Sequence, residues 1–95
     1  MHVRWSPSAA HDLEQIFDYI RADNNSAAQR VTQAIYERVE VLATHPYQGR
    51  RGRIAGTREL PLPPLPFIVV YRVLESEDVI GVAGVIHGAQ RWPPG

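Results

Sequence analysis

Four arginines crowd one short stretch of this chain: Arg50, Arg51, Arg53 and Arg58 fall within residues 45–58, with no acid among them. A planar guanidinium pairs bidentately with phosphate or carboxylate, so the run describes an anion-facing loop. All 10 basic residues are arginine, which excludes chemistry that depends on a lysine amine. Arg72 and His87, further along, add groups able to hold an oxyanion and to move a proton near neutral pH. Together such groups could bind an anion and serve acid–base chemistry beside it. Blander readings stand beside it. A charged loop is commonly just solvated. Arg58 can form a surface pair with Glu59, Arg72 can answer Glu59 or an acid of residues 75–78, and His87 can be an ordinary polar strand end.

Other chemistries drop out. There are no cysteines, hence no disulfides, thiolate metal sites or cysteine nucleophiles. The histidines at 2, 11, 45 and 87 lack ligand spacing on one element, so no metal is expected, and no cofactor is called for. Gly49, Gly52 and Gly56 precede a short strand rather than opening a helix, and no lysine accompanies them; they read as turn residues, not as a phosphate cradle. No Gly-x-Ser-x-Gly elbow occurs, which removes that hydrolase class.

The elements that must position these groups follow from periodicity. A β-prone stretch at residues 2–5 leads to Ser6-Pro7, a cap followed by proline at the first helical position. Leu13, Ile16, Phe17 and Ile20 then recur at helical spacing over residues 7–23. Asn24-Asn25-Ser26 turns the chain, and Ala28, Val31, Ile35, Val39 and Leu42 make a second amphipathic helix that stops at His45-Pro46. Residues 67–74 and 79–86 are apolar, β-branched runs either side of a polar turn, a hairpin. Residues 57–60 offer a further short strand, cut off by Pro61, Pro63, Pro64 and Pro66. The expectation is an α+β fold of order β-α-α-β-β-β, a helical hairpin packed on one face of a small antiparallel sheet. Alternation puts Arg72 with Ile68, Val70 and Leu74 on the sheet's open side.

The chain has 95 residues, 44% of them hydrophobic and 21% charged, so a single domain over residues 1–95 is expected. Its formal net charge of +0 hides an uneven distribution, since residues 7–44 hold six acids against three arginines. No apolar run approaches the roughly 18–20 residues of a membrane span, and Met1 is not followed by a basic and then an apolar segment. A cytoplasmic protein without a membrane partner is expected.

Several motifs together resemble the RelE/ParE toxins: Trp5 before the first helix, Asp12-Leu13 and Tyr19-Ile20 within it, His45-Pro46 with Gly49, and Gly56-x-Arg58-Glu59-Leu60. Val70-Tyr71-Arg72-Val73, Val85-Ile86-His87 and Arg91-Trp92-Pro93 complete the pattern across the chain. The resemblance implies the toxin component of a type II toxin–antitoxin system, a growth inhibitor neutralised by a cognate antitoxin in a hetero-oligomer. RelE-like members are endoribonucleases that cut messenger RNA on the ribosome, whereas ParE-like members poison DNA gyrase without catalysis. On the nuclease branch, Arg58 and Arg72 fall where phosphate-binding arginines stand and His87 near a general acid or base, with Arg50, Arg51, Arg53 and Arg91 as RNA contacts. Two features depart from that branch: its lysines are absent, and Gly88-Ala89-Gln90 follows His87 where an aromatic is expected. The alternatives are a gyrase inhibitor and a binding module that acts mainly in autorepression with its antitoxin. Trp92, near the end of the chain, is expected to pack against the domain.

Overall fold

A computed structural model describes residues 1–89; Arg91 and Trp92, expected as an RNA contact and a packing residue, lie outside them. The chain runs β1 (His2–Trp5), α1 (Pro7–Arg21), α2 (Asn25–Glu40), β2 (Arg50–Arg51), β3 (Arg58–Pro61), β4 (Phe67–Leu74) and β5 (Val79–His87). Each helix starts where its cap predicts. The Ser6 hydroxyl accepts the Ala9 N–H at 3.0 Å with Pro7 at the first turn, and the Asn24 carboxamide accepts the Ala27 N–H at 3.0 Å.

The sheet has five strands in the order β1-β5-β4-β3-β2. It is mixed rather than wholly antiparallel, because β1 runs parallel to β5. The five residues between Pro61 and Phe67 bring β3 back beside β4, which leaves the outer edge of β5 for β1. A parallel partner needs a long crossover, and the α1–α2 hairpin lies within that connection. The two-residue strand β2 also exceeds the expectation. It grows out of the basic loop by pairing with β3, a contact that no local periodicity announces.

The α+β architecture itself is the expected one. Ala9 of α1, Ile35 and Val39 of α2, and Leu42 just beyond it pack on Leu60, Val69, Tyr71, Ile80, Val82 and Val85 to form the main core. Ile68, Val70 and Ile86 make a smaller apolar cluster on the opposite face. Between Val70 and Tyr71 the register of β4 against β5 moves from Gly84 to Val82, so Ala83 is an extra residue in β5. At this bulge β1 ends, and Asp12 of α1 takes over: its carboxylate accepts the Val85 N–H at 3.0 Å.

Candidate functional site

The basic loop is built around two buried anchors. Tyr71, fully buried on β4, donates its phenol proton to the Pro46 carbonyl at 2.8 Å and accepts the Gly49 N–H at 2.8 Å. Burial pushes this phenol above its ordinary pKa, against the opposing pull of the Gly49 N–H and the Arg58 charge. Glu59 is only 1% exposed. Its carboxylate accepts the Arg53 N–H at 3.0 Å and the Arg53 guanidinium at 3.2 and 3.3 Å, with Arg50 at 3.5 Å. Burial works against its charge, but the Arg53 hydrogen bonds and charge and the Arg50 contact prevail, leaving the carboxyl below the usual value.

Strand alternation then divides the arginines between two faces. Arg58 lies opposite Tyr71 and opposite Arg51 in register, so both arginines stand on the helix-bearing face. The Arg58 guanidinium donates to the Gly49 carbonyl at 2.7 Å and stacks 4.9 Å from the centre of the Tyr47 ring. Arg72, one residue beyond Tyr71, is exposed on the opposite face, as alternation predicted, where one nitrogen lies 3.4 Å from the Ala55 carbonyl. Arg50 is paired with Glu59 in register on that same face, and Arg53 reaches the carboxylate from the loop.

The three residues expected to share one phosphate are therefore spread out. His87 pairs with Phe67 at the far end of β4, five residues from Arg72, or about 16 Å at the usual strand rise. It lies edge-on to the Phe67 ring at 5.9 Å, and its Nδ1 accepts the Ala89 N–H at 3.1 Å. Around it is a cleft with Asp12, Ile16, Tyr19 and Ile20 of α1, on the face opposite to Arg72. A general acid must come within hydrogen-bonding reach of the reacting atom, and His87 lies at the other end of β4 from the segment where Arg58 faces Tyr71 and Arg72 reaches Ala55. Glu59 answers Arg53 and Arg50 rather than Arg58 or Arg72. Among the described residues no group of three histidines or carboxylates gathers at a metal-holding distance, and no helix is long and apolar enough to cross a membrane.

Comparison with known proteins decides the family. Residues 3–92 match the family described as the ParE toxin of type II toxin–antitoxin systems, parDE. This chain belongs to the ParE toxin family. A Sinorhizobium fredii protein named "Putative toxin Y4kP" is 40% identical over 91 residues, 96% of this chain and 92% of that one. Among solved structures, the chromosomal ParDE toxin–antitoxin system of P. aeruginosa superposes with a TM-score of 0.80 at 29% identity, covering 92% of this chain and 95% of the other. The RelBE2 toxin–antitoxin complex of Mycobacterium tuberculosis gives a TM-score of 0.70 at 20% identity over 90% and 95% of the two chains; at that identity the likeness shows the fold alone.

Within this ParE-family toxin, sequence reasoning missed three residues that shape the site. Glu59 looked like a surface partner and is the buried anchor of the loop. Tyr71 looked like one aromatic in an apolar run and holds the turn after α2. Asp12, on the polar side of the α1 pattern, closes the edge of β5. Glu59 stands between Arg58 and Leu60, a setting that reads equally as a solvated edge, and nothing local marks the other two.

Proposed function

We propose that this ParE-family toxin arrests growth by binding a protein target, DNA gyrase on the ParE resemblance, and cuts no RNA. A cognate antitoxin, supported by the family match and by the ParDE system solved at 29% identity, silences it in a cytoplasmic hetero-oligomer. The observation that supports the reading is the place of His87, at the far end of β4 from Arg72 and Arg58 and on the face opposite to Arg72. In-line attack at one phosphate needs charge stabilisation and proton transfer within a few ångströms of each other. These side chains then serve as surface contacts, with Arg50 and Arg53 shaping the loop through Glu59.

Inducible expression without the antitoxin tests this. DNA breaks with an SOS response are expected, and toxicity should survive His87→Gln. Messenger RNA cut at ribosomal A-site codons, lost in that variant, would restore the nuclease assignment. Unimpaired growth would leave autorepression with the antitoxin as the role.

A further inference from the structure

Arg51 and Arg58 are direct register partners across β2 and β3, so their Cβ atoms stand roughly 5 Å apart on one face. Like charges placed opposite each other destabilise a strand pair, and among the described residues neither arginine forms an ion pair with a carboxylate on this face. The Glu59 carboxylate is taken by Arg50 and Arg53 on the other side of the sheet. Glu75 lines the same cleft but forms no ion pair with either arginine among the described residues. Arg58 is held ready, its guanidinium fixed by the Gly49 carbonyl and the Tyr47 ring; Arg51 is exposed and has no partner among the described residues. The two open onto a cleft of about 470 Å³ whose wall includes Ile54 and Val73.

We propose that this cleft is a carboxylate slot, in which Arg51 and Arg58 clamp one aspartate or glutamate of an acidic peptide segment while an adjoining apolar side chain rests on Ile54 and Val73. A paired guanidinium fork fits one planar carboxylate. A nucleic-acid backbone fits less well, because it needs a succession of unneutralised cations. Here Arg50 and Arg53 are already engaged by Glu59, the chain's formal charge is +0, and Glu75 adds a negative charge to the cleft lining. The inference rests on the reading that this toxin meets proteins rather than RNA, but its test does not pass through toxicity.

Purified toxin, with arginine Nε–H groups observed by NMR at low salt, is titrated with the capped tripeptide acetyl-Ala-Glu-Leu-amide, its glutamine counterpart and an RNA tetranucleotide. The Arg51 and Arg58 signals should move together and saturably with the glutamate peptide, at least tenfold more tightly than with the glutamine one. Arg51→Gln should weaken that binding at least tenfold while the thermal midpoint of the free toxin holds or rises, since one of two opposed charges is gone. A merely structural Arg51 would lower the midpoint instead. Equal response to both peptides, undiminished binding in Arg51→Gln, a lowered midpoint or tighter binding of the RNA overturns the proposal. RNA cleavage in induced cells, by contrast, would sink the gyrase reading whatever the peptides do.

Discussion

The backbone of Gly49 lies against the phenol of Tyr71: the N–H reaches the oxygen at 2.8 Å, and a Cβ at Gly49 would come within 2.7 Å of that oxygen and 2.8 Å of the ring. Glycine is required there by close approach, not by an unusual backbone angle. Because the same phenol donates to Pro46, one contact fixes where the chain leaves α2 and enters the basic loop. Gly49→Ala is therefore expected to cost about 2 kcal/mol through overpacking, a fall of about 10 °C in midpoint for a chain this size. Gly88→Ala, whose Cβ would meet only ordinary contact at 3.5 Å, should be near neutral. Thermal unfolding of the two variants checks this, and equal effects would remove the packing argument.

Tyr71→Phe should cost about 1–2 kcal/mol, since it leaves the Gly49 N–H unsatisfied inside the core. The alkaline limb carries a sharper signature. A phenol whose pKa is raised on folding from its ordinary 10.0 favours the folded state below that pH, and this stability fades as pH rises through the folded value. Wild type should lose stability above pH 10 more steeply than the phenylalanine variant, as followed by urea unfolding across the range; parallel curves would count against it.

Replacing Glu59 by glutamine should destabilise by roughly 1–3 kcal/mol at neutral pH, toward the lower end because Arg50 and Arg53 are half exposed. The carboxyl is held below its ordinary value. Its contribution is thus present above the usual carboxylate pKa of about 4 and is lost as pH falls through the lowered folded one. The gap between wild type and variant should close in acid, and a gap independent of pH would show that the ion pairs are not its origin.

Asp12→Ala removes the acceptor for the Val85 N–H where β1 no longer covers β5. Hydrogen exchange at Val85 should accelerate, with about 1 kcal/mol of stability lost, while Asp12→Asn, which keeps an acceptor oxygen, should preserve protection. Unchanged exchange in the alanine variant would mean that another group closes this edge.

Arg72→Ala tests the open face. The side chain is exposed, and its one described hydrogen bond, to Ala55, is long at 3.4 Å, so folding should be unaffected within about 0.5 kcal/mol. On the binding reading the variant loses toxicity only as far as it loses affinity for the target, and no RNA cleavage accompanies either form. Abolished toxicity together with abolished RNA cleavage would return Arg72 to a catalytic role.

Local chemistry determined much of this protein. The helical repeats of Leu13 to Ile20 and Ala28 to Leu42, the caps at Ser6 and Asn24, and the β-branched run before residue 75 each specify an element over a few neighbours, where period and cap energetics act. Alternation placed Arg72 on the open face for the same reason. Tertiary structure decided what depends on pairing between distant segments: that β1 joins β5 in parallel, that Arg51 finds Arg58, and that Glu59 turns inward to two arginines while Arg58 turns to the other face. A bulge at Ala83 and the far ends of β4 then set His87 apart from Arg72. Register across a sheet is fixed by the whole core at once, and a one-residue change reverses the face of every side chain that follows, so the residues that could do chemistry were legible while their meeting points were not.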